Sequence, residues 1–121
     1  MHGMLMGFAD LVFCHEGRYW VLDYKTNHLG ADGAAYTAEA LQHAMLHHRY
    51  DVQAALYLLA LHRLLRARLG AAYTPQQHLG GALFWFLRGI DGPQAGLCHL
   101  TPPTALLDAL DAMLDPAENA A

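Results

Sequence analysis

Lysine is nearly absent: the 121-residue chain has seven basic residues, six of them arginine, and Lys25 is the only lysine. Genomic base content accounts for the scarcity in a chain rich in alanine and arginine, but not for where the one lysine stands. Set against eleven acidic residues, the bases leave a formal charge of −4, the wrong sign for a module that holds nucleic acid by charge alone. Any grip on a polyanion must be local or supplied by a partner. Cysteine is also scarce, and Cys14 and Cys98 form no short-spaced metal or redox motif; both are read as small buried hydrophobes. No apolar run reaches the roughly 20 residues of a membrane span, because the longest, around Val52 to Leu61, contains Gln53 and is followed by His62 and Arg63. Met1 to Gly7 lacks the basic-then-apolar order of a secretory signal. A reducing, cytoplasmic setting is the expectation.

What is present is apolar substance: 55% of residues are hydrophobic and 15% charged, enough for one globular domain over residues 1–121. Leu5 to Phe13 reads as a buried strand and Arg18 to Lys25 as a second, rich in aromatic and β-branched residues. Asn27 to Ala35 reads as a loop. A helix is expected from Thr37, its N-cap, to about His48, and a second from about Tyr50 to Leu69, stopped by Gly70, with Leu56, Leu59, Ala60 and Leu64 at helical spacing. A turn-rich stretch, Ala71 to His78, leads to a buried strand at Gly81 to Leu87. Asp91-Gly92-Pro93 makes a turn, Leu97 to Leu100 a short strand, and Pro103 to Leu114 an amphipathic closing helix, with a frayed tail after Asp115. The order β-β-α-α-β-β-α describes a mixed α/β (α+β) domain, a small sheet flanked by helices.

The first two strands concentrate charge. With Glu16 and Gly17 as a two-residue turn, paired positions sum to 33, so Cys14 faces Tyr19, Val12 faces Val21 and Asp10 faces Asp23. Two carboxylates stand opposite each other, and alternation puts Lys25 on the same side as Asp23, with Phe8 across from it. Opposed like charges destabilise a sheet, and such breaches of good strand design mark function. A hard dication resolves the conflict: Mg²⁺ takes oxygen ligands, commonly one or two carboxylates, and leaves positions for water and phosphate. The implied chemistry is metal-assisted hydrolysis of a phosphodiester, with Lys25 orienting water or stabilising developing negative charge. Taken alone, the short D-x-K pattern also fits a solvated strand end or a plain Asp23–Lys25 pair.

In the segments GFADLVF, HEGRYWVLDYKTNHLG, HRYDVQAALYLLALHRLLRARL and GGALFWFLRGID the sequence resembles the PD-(D/E)XK nuclease superfamily, and within it the carboxy-terminal nuclease domains of the RecB family, the exonuclease V beta subunits. The likeness covers roughly Met4 to Leu114. It implies a restriction-endonuclease-like core and a Mg²⁺-dependent exodeoxyribonuclease, with Mn²⁺ or Ca²⁺ able to substitute in binding. It also implies a RecBCD-type helicase–nuclease context in double-strand break repair and recombination. DNA, the helicase portion of a parent protein, and RecC-like and RecD-like subunits are the implied partners. Residue by residue it assigns Asp10, Asp23 and Tyr24 to the metal, Lys25 to catalysis, and Gln53 and Tyr57 to a supporting Q-x-x-x-Y motif. Spacing alone reads Tyr57 as core packing. Family members carry an acidic residue on a helix before the Asp10 strand, and the RecB branch an upstream histidine. Neither is found here, so a domain truncated at its N-terminus is expected, with weak or no cleavage by itself. The rival reading is a catalytically inactive structural or docking module.

Other features carry blander expectations. No Walker A sequence occurs, so ATP binding and unwinding are not expected within the chain. An iron–sulfur cluster, found in some relatives, needs four cysteines and is excluded within this chain. His43 and His47, with Glu39 one turn earlier, could bind zinc only if a further ligand joined. His47, His48, Arg49, Arg63, Arg66 and Arg68 are read as helix surface, with contact to DNA or parent domains as the alternative. Trp20, Phe84, Trp85 and Phe86 are read as core rather than base-stacking platforms.

Overall fold

A two-residue turn sets the register from which the sheet grows. In the computed structural model, which describes residues 9–114, Glu16 and Gly17 both take positive φ, 53° and 78°. That pair of values makes the tight turn whose twist suits a hairpin, and a glycine at the second position meets it without strain. The turn joins β1 (Leu11–His15) to β2 (Arg18–Lys25), and their pairs run from His15↔Arg18 to Leu11↔Leu22, the register expected from sequence. The first strand starts later than expected. Leu5 to Phe8 lie outside the described residues, and Asp10 bends out of the ladder because its own carboxylate takes the Tyr24 N–H.

After a loop with a single 3-10 turn at Gly33–Ala35 come α1 (Ala38–His47) and α2 (Tyr50–Leu69). The Thr37 hydroxyl accepts the Ala40 N–H and starts α1 as an N-cap. The expected loop at Ala71 to His78 instead contains a 3-10 turn, Gly70–Ala72, and a one-turn helix, α3 (Pro75–His78), with proline at its first position. The chain then forms β3 (Leu79–Phe86), β4 (Leu97–Leu100) and α4 (Thr104–Leu114).

Strand order is β1-β2-β3-β4, with β2 and β3 parallel and both outer pairs antiparallel. A parallel pair needs a long crossover, and α1 and α2 provide it. Where β3 begins, Gly81 adopts φ 131° beside a register shift at Tyr19/Trp20, a local bulge that a side chain would resist.

The core lies between one sheet face and the helices. Val21, Ala82, Phe84 and Phe86 meet Leu41, Ala44 and Met45 of α1, Ala54, Tyr57, Leu58, Leu61 and Leu65 of α2, and Leu107 of α4. The stripe on α2 thus runs through Tyr57 and His62, while Leu56 faces solvent. On the opposite sheet face Leu11, Tyr24 and Leu97 are exposed, and Trp20 and Trp85 are only partly covered, so the core expectation holds for Phe84 and Phe86 alone. Cys14 is exposed rather than buried, because β1 is an edge strand, and Cys98 is half-buried. Among the described residues, no helix is long and apolar enough to cross a membrane.

Candidate active site

Asp23 occupies a core-facing strand position that would normally take an apolar residue. Alternation along β2 sends it, with Val21 and Lys25, to the helix-covered side, where it is 7% exposed. A carboxyl group buried there is costly unless partners meet it. The first half of α2 supplies them. Gln53 and Tyr57, one turn apart, share a helix face. The Tyr57 hydroxyl donates to Asp23 Oδ2 at 2.9 Å, the Gln53 amide donates to the Tyr57 oxygen at 2.8 Å, and Lys25 Nζ donates to Gln53 Oε1 at 3.1 Å. Lys25 Nζ also lies 3.3 Å from the same Asp23 oxygen and closes the ring. Each of these contacts sets a donor against an acceptor, which fixes the Gln53 amide in one orientation. The Lys25 ammonium further sits 4.0 Å from the centre of the Tyr50 ring.

Asp10 is the next position of the hairpin register, one step past the last ladder pair. Its Oδ2 accepts the Tyr24 N–H at 2.7 Å, so the bend that ends the strand also aims the carboxyl group at Asp23. The two carboxyl groups lie close enough for each to shift the other's titration. The neighbouring Asp23 carboxyl, with the Tyr24 N–H, holds Asp10 below the usual carboxylate range. Burial, followed by the neighbouring Asp10, pushes Asp23 up, against the pull of Tyr57 and Lys25. The two acids therefore titrate as a pair, Asp10 losing its proton before Asp23. Tyr57 is held protonated by burial and by the neighbouring Asp23, as a donor to a carboxylate must be. Tyr24 contributes backbone only: its ring lies on the opposite face, 5.9 Å from Trp85 between centroids.

Five candidate side chains, Asp10, Asp23, Lys25, Gln53 and Tyr57, therefore meet at one place. The donor set suits a hard cation, since two adjoining carboxyl groups present the oxygens a dication prefers. Phe8, expected across from Lys25, lies outside the described residues. Sequence reasoning missed Tyr50 and Asn27, whose side chains hydrogen-bond each other beside Lys25. The signal was available: Tyr50, Gln53 and Tyr57 are spaced i, i+3, i+7 along one helix face.

Elsewhere the polar expectations divide. His43 and His47 stack on an exposed face with centroids 5.9 Å apart, and among the described residues no group of three His, Cys, Asp or Glu side chains could hold a metal, so the zinc geometry finds no further ligand. Arg63 and Arg66 are not plain surface; both bind the buried Asp111 of α4. Arg49 pairs with Asp51 on the surface, and Arg68 is exposed.

Comparison with known proteins agrees with the geometry. A sequence profile of the PD-(D/E)XK nuclease superfamily matches residues 2–115. The RecBCD enzyme subunit RecB of Escherichia coli (strain K12) is 52% identical over 115 residues, which cover 93% of this chain and 10% of the relative. RecB of Mycobacterium tuberculosis is 47% identical over 124 residues, 95% of this chain and 11% of the relative. RecB of Haemophilus influenzae is 44% identical over 112 residues, 92% of this chain and 9% of the relative. The chain thus spans about a tenth of the length of the relatives it matches. With the superfamily profile matching residues 2–115 and a RecB relative 52% identical over 93% of the chain, this protein belongs to the PD-(D/E)XK nuclease superfamily.

Proposed function

We propose that this domain is a divalent-metal-dependent deoxyribonuclease of the exonuclease V type, hydrolysing phosphodiester bonds within a RecBCD-type helicase–nuclease during double-strand break repair and recombination. DNA, a helicase portion, and RecC-like and RecD-like subunits are its proposed partners; the RecB names of its relatives support this context. The observation that carries the reading is the meeting of Asp10 and Asp23 beside a lysine whose head group is already held.

Asp10 and Asp23, with Tyr24, would hold the metal. Mg²⁺ suits them, with Mn²⁺ or Ca²⁺ as substitutes in binding. Once bound, such an ion supplies Lewis-acid stabilisation of charge on phosphate oxygens and makes water a better nucleophile. The chain's own residues do the rest. Asp10 is exposed and would meet the substrate side of the ion, whereas Asp23 is held by Tyr57. Lys25, fixed by Gln53 and Asp23, is a point cation aimed where negative charge develops. Gln53 and Tyr57 keep both groups from reorganising during the reaction.

Calorimetric titration of the protein with Mg²⁺ and Mn²⁺ tests the reading. Binding that is abolished by Asp23→Ala supports it. A folded wild-type protein that binds neither ion overturns it and leaves the inactive docking module.

A further inference from the structure

The catalytic proposal leaves one contact of Lys25 unexplained. Its ammonium already has two polar partners, Gln53 and Asp23, yet it also lies over the face of Tyr50, 4.0 Å from the ring centre. Cations are drawn to that face by the ring's quadrupole, more so where water is excluded. Lys25 is the last residue of β2 and carries a long, flexible stem, so its head group needs several walls to be fixed in place.

Tyr50 is itself held on several sides. Its hydroxyl lies 3.2 Å from Asn27 Nδ2 and 3.3 Å from Asn27 Oδ1, tying α2 to the loop just beyond Lys25. Its ring stacks on Phe84 at 5.6 Å and on His48 at 5.2 Å between centroids. Phe84 is fully buried and is a second, more distant ring for the same cation, at 5.4 Å. Packing alone would ask only for an apolar side chain here. An aromatic face under an ammonium, with its hydroxyl anchored to the adjoining loop, does more than fill space.

We propose that Tyr50 is a positioning residue: its ring face, braced by Asn27 and Phe84, fixes the Lys25 ammonium toward Asp23 and Gln53. The catalytic consequence rests on the nuclease reading above; the contact itself does not.

Because Lys25 is the only lysine, protein labelled with ¹³C-lysine gives one lysine side-chain signal, free of overlap. In the wild type its ε-methylene protons are expected upfield of free lysine, within the shielding cone of the ring. Tyr50→Leu should move them most of the way back, whereas Tyr50→Phe, which keeps the ring, should hold them upfield. A Lys25 signal at the free-lysine position in the wild type, or unmoved in folded Tyr50→Leu, overturns the proposal. Should Tyr50→Leu fail to fold, Asn27→Ala releases the ring's anchor and is expected to reduce the upfield shift; an unchanged shift there overturns the bracing. In metal-dependent DNA cleavage by the parent protein, Tyr50→Leu should lower kcat about tenfold, with KM and calorimetric metal affinity little changed, and Tyr50→Phe should recover most of the loss. An upfield signal in a wild-type protein that binds no metal and cuts no DNA would sink the nuclease reading and leave the contact standing.

Discussion

At the scale of single residues, the Lys25 ammonium is the sharpest test of the site. Lys25→Ala leaves both carboxyl groups in place, so Mg²⁺ binding should survive while DNA cleavage by the parent protein falls by about a hundredfold or more, as for other preorganised charge stabilisers. Wild-type cleavage by the folded variant would refute the role. Lys25→Arg should not restore activity, because a longer side chain with a spread, planar charge cannot put a compact cation between Tyr50, Gln53 and Asp23. Tyr57→Phe removes a donor from Asp23 and an acceptor from Gln53 at once. It should cost about 1–2 kcal/mol of stability, read as a lower denaturation midpoint at unchanged slope. Were Tyr57 only packing, the midpoint would stay put. Asp10, Asp23 and Lys25 were legible in the sequence because a two-residue turn fixes register and strand alternation does the rest. Gln53 and Tyr57 were not legible from spacing, since a tyrosine one turn from a glutamine on an apolar helix reads as packing until the facing strand is known. Tyr50 escaped although it shares a helix face with Gln53 and Tyr57, because only its contact with Lys25, far away in the chain, gives that face its meaning.

At the scale of elements, the hairpin is where local chemistry sets the geometry of the site. Glu16 is held at φ 53° in the turn, a conformation costly for most side chains and tolerated by asparagine. Its pair with His15, at 3.7 Å between exposed side chains, offers little in return. Glu16→Asn is therefore expected to stabilise the protein by about 0.5–1 kcal/mol, raising Tm by about 2–4 °C, with metal binding untouched. A lower Tm would show that the turn does not have this form in solution. The element order was legible because hydrophobic period and turn residues agree along most of the chain. Departures arose where a polar group overrode the pattern. Asp10 ends β1 by taking a backbone N–H, and the buried stripe of α2 includes Tyr57 and His62, so a reading of apolar residues alone turned the helix toward Leu56. Edge position, invisible in a local window, left Cys14 exposed. Pro75, read as a loop signal, instead opens a helix of one turn.

At the scale of the whole molecule, α2 joins two polar centres. Its first half presents Gln53 and Tyr57 to the strand ends, and its second half is clasped to α4, where Arg63 and Arg66 bind the buried Asp111. His62 lies between these centres, buried at 2% exposure, with Nδ1 2.8 Å from the Tyr73 hydroxyl and Nε2 3.4 Å from Asp108. Burial pushes the Tyr73 phenol up to about 12, so it stays protonated and donates to Nδ1, which leaves the imidazole proton on Nε2 toward Asp108. Burial is also the main influence on His62 and lowers its pKa; Asp108 and Asp111 oppose it, and Arg66 adds to it. The folded protein therefore keeps His62 neutral where the unfolded chain has begun to take up a proton. Stability from this group is complete above the ordinary imidazole pKa of about 6.5 and is lost as pH falls from there to the depressed folded value. Thermal melts of wild type and His62→Gln between pH 8 and pH 5 separate this term from acids common to both. The wild type should lose more Tm across the acid half of that range, and the two curves should run parallel above about pH 7. Since the same helix carries Gln53 and Tyr57, the acid-side loss should appear as well in the Lys25 NMR signal, which would drift toward that of free lysine as α2 loosens. Parallel melting curves over the whole range would place the pH sensitivity elsewhere and remove His62 from the clasp.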